Sequence, residues 1–302
     1  MANPGFLHRI ALASRFKTLP LATGSVLVVA SDGVGRDLAV DPWRIVACIT
    51  IAMAFHVVGI FTSDLFDHRA GTDKLARLDR NAMPTGSLQL EAGTLTQRTV
   101  AWVAVTVSAI AAVLVALLRD ADLWIWFGVA VACAWSYAGP PLRLAYVGSG
   151  FGELVLAFAY GPLLGVGTAR ALQIPFTRSA WLASSAAGVL IAMTYASHHF
   201  LHWRADREAS KRTPVVVFGE DGALIFIAIA DVAVFATILI CVALEVLPPL
   251  SALALLGAPG VAVALRRASE DPVAQRILGL IGAHLAAVVL GVLGLCLGSL
   301  LR

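Results

Sequence analysis

Apolar residues in this chain run in long continuous blocks, without the alternation of a half-buried strand. Blocks long enough for helices cover roughly residues 14–31, 42–63, 97–118, 122–140, 150–171, 179–200, 222–246, 248–266 and 276–301. A hydrocarbon core about 30 Å thick needs roughly 20 mostly apolar residues per helical crossing. The pattern therefore predicts an all-α, multi-pass integral membrane protein with about nine transmembrane helices, in one domain over residues 1–302. The first block is the weakest, because Arg15, Lys17 and Pro20 crowd its start. Gly139-Pro140-Pro141 and Gly161-Pro162 inside other blocks are compatible with crossing, since neighbouring helices can satisfy freed backbone groups. A transmembrane β-barrel, which needs alternating residues, does not fit.

Composition agrees. The chain is 59% hydrophobic and 14% charged, against about 25% charged in soluble domains. Its net charge of +3 comes from scattered basic residues, which excludes a nucleic-acid surface. Cys48, Cys133, Cys241 and Cys296 sit far apart in apolar runs and read as buried thiols. The first residues lack the short apolar core and cleavage site of a signal peptide, so the first block is expected to be retained. With the N-terminus in the cytoplasm, sixteen Lys and Arg fall on the cytoplasmic side and six on the other, which sets the expected orientation.

Two expected cytoplasmic cap loops, 64–96 and 201–220, hold most of the polar chemistry. They lie in corresponding places, each after an even-numbered span, which suggests a weak internal duplication. In the first, Asp64 and Asp67 stand three residues apart and share a face if the second helix continues past Ser63. Paired carboxylates beside a phosphate-bearing substrate suit Mg²⁺; a solvated helix end with acids paired to Arg69 and Lys74 is the alternative. In the second, His198, His202 and Asp206 recur every four residues, a stripe on one helix face that could ligate a metal or, with protonated imidazoles, an anion. A His-rich di-metal oxygenase would need a second His cluster, which the other four histidines do not form. Lys211 and Arg212, with Arg69, Lys74, Arg204 and Arg207, supply cations suited to a diphosphate or to anchoring at the membrane face. Within the spans, His56, Glu153, Asp231 and His284 are expected to face the bundle interior, because a charge facing lipid is costly. Glu153 could bind a polar substrate group or cap its helix, and Asp231 and His284 show no partner in the sequence.

Together these residues resemble the UbiA superfamily of intramembrane prenyltransferases, in particular its 1,4-dihydroxy-2-naphthoate polyprenyltransferase branch of menaquinone synthesis. Ser63-Asp64-Leu65-Phe66-Asp67 and Gly71-Thr72-Asp73 are similar to the first motif, Asn-Asp-x-x-Asp followed by Gly-x-Asp. Arg15-Phe16-Lys17-Thr18-Leu19-Pro20 resembles the Arg-Pro-Lys-Thr-Leu-Pro segment, and Met83-Pro84-Thr85-Gly86 the Leu-Pro/Thr-Ser-Gly turn. Tyr137 and Arg143 lie in a match to Tyr-Ser-x-x-Pro-Pro-Leu, Glu153 in one to Gly-Leu-Gly-Glu, and Lys211-Arg212-Thr213 in one to Gly-Lys-Arg-Thr-Leu. One departure stands out: His198-His199 replace Asn-Asn, and His202 replaces the first acid of the second motif, Asp-x-x-x-Asp, of which Asp206 remains.

The resemblance implies a helical bundle around a central cavity, in a bacterial inner membrane. A prenyl diphosphate would be held between the two cap loops, with its tail open to membrane lipids. Mg²⁺ on Asp64, Asp67 and Asp206 would help diphosphate leave, and an aromatic acceptor would capture the prenyl group. Arg15, Lys17, Arg69, Asp73, Lys74, Tyr137, Arg143, Glu153, His198, His199, His202, Lys211 and Arg212 are the implied substrate contacts. Phe66, Tyr137, Phe158, Tyr160 and Tyr195 could shield the allylic cation. The altered second motif leaves open one Mg²⁺, another metal, or histidines contacting the diphosphate directly. It also leaves open a terpene cyclase, or a lipid-binding or transport protein without turnover.

Overall fold

The computed structural model describes residues 5–78 and 89–302, and every regular element among them is helical. Arg80 and the Met83-Pro84-Thr85-Gly86 segment, which belong to the first expected cap loop, lie outside the described residues. Helix α1 (Phe6–Ala13) leads into a 3-10 segment, Phe16–Thr23, and then α2 (Gly24–Val34). Pro20, with no N–H to donate, sits inside the 3-10 segment, where the tighter turn replaces the α-helical ladder. Helix α3 (Pro42–Ala70) starts with Pro42 behind an Asp41 side chain that accepts from the Trp43 N–H, and ends at Gly71 with φ 82°. It is followed by α4 (Thr72–Leu78), α5 (Gln97–Leu117) and α6 (Leu123–Ala138). Next come α7 (Leu144–Val147), α8 (Phe151–Phe158) and α9 (Leu164–Leu172), the last two joined by a π turn at Gly161-Pro162 into one bent crossing. Helix α10 (Arg178–His198) passes through a 3-10 turn, His199–Leu201, to α11 (Trp203–Glu208). The chain closes with α12 (Pro214–Ala243), a 3-10 segment Pro249–Gly257, α13 (Ala258–Glu270) and α14 (Ala274–Leu300).

All nine apolar blocks are helical, but among the described residues seven helical stretches, not nine, are long and apolar enough to cross a membrane unaided. The exceptions are α6, with 16 residues, and the first block, split between the 3-10 segment and the 11-residue α2. Among the described residues, parts of both cap loops are helical rather than irregular. Helix α3 carries Asp64 and Asp67 on its own last turns, and α4 and α11 pack against each other across the mouth of the bundle.

Helix α10 sits at the centre, packed by α2, α8, α12 and α14. Its Ala183, Ser184, Ala186, Ala187 and Gly188 are all small, which lets neighbouring backbones approach where no hydrophobic drive separates helix from lipid. The outer faces of α5 and α12 instead expose Trp102, Val105, Ile110, Ile225, Ile229 and Val232. Charges inside the bundle are paired. Asp231 on α12 and His284 on α14, which have no partner visible in the sequence, contact each other at 3.0 Å and are 3% and 0% exposed. His56 and Glu153 also face inward, as expected.

Candidate functional site

A cavity of 220 Å³ opens between α3, α6, α8, α9 and α10. One stripe of α3 follows it: Cys48, Ala52, His56, Gly59, Ser63 and Asp67 recur at spacings of three or four and all line its wall. From Cys48 to Asp67 that stripe is roughly 28 Å long at 1.5 Å per residue, about the depth of a bilayer core. Its far end is apolar, closed by Val115, Leu118, Leu123 and Ala171, while Arg15, Asp67, Asp73, Asp206 and Lys211 gather at the other.

Lys211 ties the two motifs together. Its Nζ lies 2.8 Å from Asp67 Oδ2, and its backbone N–H donates to the Asp206 carbonyl at 2.7 Å. Burial opposes the ammonium charge, but Asp67 and Asp206 outweigh it and hold Lys211 well above the usual lysine range. Tyr146, which the sequence does not single out, donates to Asp67 Oδ1 at 2.5 Å, and the Arg143 guanidinium lies 3.9 Å over its ring. Ser63 donates to the other oxygen of Asp67 at 3.1 Å. Asp64 behaves differently: its Oδ1 is 2.6 Å from the Arg15 guanidinium, and it does not line the cavity. Asp73 takes the place on the wall that was expected for Asp64. Burial, then the charges of Asp67 and Asp64, push the Asp73 carboxyl up to about 7.

The expected His198–His202–Asp206 stripe does not form on one helix. Helix α10 ends at His198, and His202 adopts φ −147° between the 3-10 turn and α11. This break brings His199, His202 and Asp206 together instead, with one ligand atom of each within 4.8 Å of the others. His202 Nδ1 and His199 Nδ1 lie 3.2 and 3.6 Å from Asp206 Oδ2, and His199 Nε2 lies 3.5 Å from Glu153. Asp206 is fully buried, yet among the described residues neither of its carboxylate oxygens receives an aligned hydrogen bond. Burial alone would raise its pKa; His202 and Lys211 overcome this and hold it well below the usual carboxylate range. An ionised buried carboxylate with open lone pairs, on the same wall as Asp67 and Asp73, is a donor set suited to a hard divalent cation.

Arg15, Tyr137, His198, His199 and His202 also line the cavity, and Glu153 lies just behind His199. Lys17, Arg69, Lys74 and Arg212 are exposed and outside the lining, with Arg69 directed to Gln97 at 3.0 Å. Of the aromatics, Tyr137, Tyr160 and Tyr195 face the cavity; Phe66 packs on Trp135 and Phe158 is exposed.

No family model matches the chain. It is 30% identical over 215 residues to the 1,4-dihydroxy-2-naphthoate octaprenyltransferase of Mycobacterium tuberculosis, covering 68% of each protein. It is 32% identical over 92 residues to the 2-carboxy-1,4-naphthoquinone phytyltransferase of Synechocystis, a match spanning 30% of this chain and 29% of that protein. A UbiA homolog from Aeropyrum pernix shares the fold with a TM-score of 0.67 at 15% identity, over 96% of this chain and 98% of that one. A UbiA homolog from Archaeoglobus fulgidus, bound to DMAPP and Mg²⁺, gives 0.63 at 14% identity over 93% and 99%. The fold and site define an integral membrane protein with a polar-mouthed, lipid-deep cavity. The chain belongs to the UbiA superfamily of intramembrane prenyltransferases, on the side of the naphthoate prenyltransferases.

Proposed function

We propose that this protein is a prenyltransferase of the bacterial inner membrane, moving a prenyl group from its diphosphate to an aromatic acceptor of the dihydroxynaphthoate kind. The observation that carries this is the cavity itself, which joins a cluster of acids and buried cations to an apolar trough about one bilayer core deep. The diphosphate belongs at the mouth, beside Lys211 and Arg15, with the N-terminus and both caps on the cytoplasmic side. The tail belongs along α3. Asp67, Asp73 and Asp206 are the residues that would hold Mg²⁺, with Asp64 adjoining through Arg15. Mg²⁺ supplies charge neutralisation for the leaving diphosphate. Lys211 and Arg15 orient the same group by charge-assisted hydrogen bonds. Tyr137 and Tyr195, which line the cavity, would supply aromatic surface to stabilise positive charge developing on the allylic carbon.

The test is turnover in membranes with prenyl diphosphates of several lengths and 1,4-dihydroxy-2-naphthoate, followed by mass spectrometry. A prenylated product that disappears on chelation and returns with Mg²⁺ is the expected result. Diphosphate release that is absent with every acceptor overturns it. The His199–His202–Asp206 cluster favours a second reading, a cyclase, which would yield a hydrocarbon or alcohol with no acceptor added.

The Asp73 carboxyl carries a pH signature. Its pKa in the folded protein lies above the unfolded carboxylate value, so its contribution to stability is full at low pH and is lost as pH rises through about 7. The metal-free protein is expected to lose thermal stability through this group between about pH 4 and about pH 7. Asp73→Asn should flatten that part of the profile in a thermal-shift series; an unchanged slope would contradict the assignment.

A further inference from the structure

The break between α10 and α11 sets three side chains on the cavity wall, His199, His202 and Asp206. Backbone bonds fix their spacing. The His202 N–H donates to the His199 carbonyl at 3.3 Å, and the Asp206 N–H to the His202 carbonyl at 3.1 Å. Asp206 and His199 are 0% and 6% exposed, yet among the described residues neither oxygen of Asp206 nor Nδ1 of His199 has a hydrogen-bond partner. The Nδ1 atoms of His202 and His199 stand 3.2 and 3.6 Å from Asp206 Oδ2, the first misaligned for a hydrogen bond and the second too long. Lys211, whose charge Asp206 feels, directs its amine to Asp67 instead. Unpartnered buried polar atoms are costly, so three of them in contact mark a place for a ligand.

We infer that His199, His202 and Asp206 hold a borderline divalent ion of the Zn²⁺ kind, distinct from Mg²⁺, with an open position on the cavity for an oxygen of the diphosphate. The metal preference stands on these residues alone; the diphosphate contact rests on the transferase reading above. Mg²⁺ takes oxygen ligands, whereas imidazole nitrogen favours Zn²⁺ and the later first-row metals. Bonds of about 2.1 Å at tetrahedral angles put two ligand atoms roughly 3.4 Å apart, and the observed 3.2 and 3.6 Å fall on either side of that. Two imidazoles and a carboxylate are three protein ligands, the number that leaves a fourth position open.

Glu153 supports the site from behind. It is 4% exposed and contacts the other ring nitrogen of His199, Nε2, at 3.5 Å. An acid there keeps the ring proton on Nε2 and turns the Nδ1 lone pair toward Asp206, as outer carboxylates do for metal-bound histidines. Nδ1 and the Asp206 carboxylate, both rich in lone pairs, then face each other, and a cation between them removes the repulsion. The second oxygen of Asp206 leaves it available to the Mg²⁺ proposed beside Asp67 and Asp73. An imidazolium pinned between Glu153 and Asp206 is the competing arrangement, and it would bind no metal.

Metal content tests this without turnover. The full chain in detergent, stripped with chelator and given Zn²⁺ in about 100-fold excess of Mg²⁺, should retain one Zn²⁺ per chain after desalting. Co²⁺ in its place should give the visible absorption of a low-coordinate nitrogen and oxygen site. His202→Asn should weaken Zn²⁺ binding by at least about 100-fold, and Glu153→Gln, which touches only the far side of the His199 ring, by about 10-fold. His8→Asn, exposed and outside the cavity lining, is the control and should leave Zn²⁺ binding unchanged. If His202→Asn fails to fold, judged by its thermal midpoint without metal, Glu153→Gln and the wild-type Co²⁺ spectrum decide. Wild type that keeps no Zn²⁺, or site variants that keep as much as wild type, overturn the metal site and leave Mg²⁺-dependent transfer standing. A non-hydrolysable geranyl diphosphate analogue should shift the Co²⁺ spectrum; an unchanged spectrum overturns the diphosphate contact alone. Zn²⁺ bound as expected, with no turnover on any acceptor, overturns the transferase reading and leaves the metal site.

Discussion

Replacing Asp67 by asparagine is expected to lower turnover by about a hundred- to a thousand-fold, the scale of losing a preorganised charge that acts on the leaving group. The change is nearly isosteric, so it isolates charge. Asp67 meets Lys211 on one oxygen and Tyr146 on the other, and it faces the cavity while only 7% exposed. Neutralising it removes a carboxylate charge proposed to hold Mg²⁺ and leaves a buried ammonium short of its closest counter-ion. Breaking a buried pair from one side costs about 3 kcal/mol, here at the lower end because Asp206 also faces Lys211. The two effects separate in a double variant. Asp67→Asn with Lys211→Met should recover much of the thermal stability and none of the activity. Activity recovered with stability would show that Asp67 serves the fold rather than the chemistry.

Gly188→Ala is expected to destabilise the protein by about 3 kcal/mol or more, the high end of overpacking. A Cβ on Gly188 would stand 2.3 Å from the Ala157 carbonyl oxygen and 2.6 and 2.7 Å from the Cα and N of Gly161. These are backbone atoms, which no rotamer change can move aside. They belong to the bent crossing of α8 and α9, so relief would push that crossing off α10 and open the wall that carries Tyr160. A lower thermal midpoint and reduced yield of folded protein in detergent are the measurements. Gly279→Ala, which meets nothing within 4 Å, is the control and should be neutral or slightly stabilising by the removal of helical glycine. A Gly188 variant as stable as this control would mean that α8 and α9 adapt to the added group.

Much of the site was legible because its charges are scarce. In a chain of this hydrophobicity the charges of Asp64, Asp67, Asp206 and Lys211 gather in two short stretches, and the resemblance of those stretches to the two acidic motifs is what gave them roles. Tyr146 carried no such mark: a tyrosine near a membrane face is ordinary, and only the turn after α6 places its hydroxyl on Asp67. The histidine stripe was misleading for a physical reason. Spacing of four implies one face only while a helix continues, and α10 stops at His198, so His199 replaces His198 beside Asp206.

Local sequence determined what depends on solvent transfer alone: which stretches enter the bilayer, that they are helical, and that the scattered polar groups within them must turn inward. A run of apolar residues has no lower-energy option in hydrocarbon than satisfying its own backbone as a helix. Only the tertiary structure decided which buried charge meets which. Asp64 went to Arg15, Asp67 to Lys211 and Asp231 to His284, separated along the chain by 49, 144 and 53 residues. Those pairings depend on helix packing set by small residues such as Gly188, and no periodicity within a single helix encodes them.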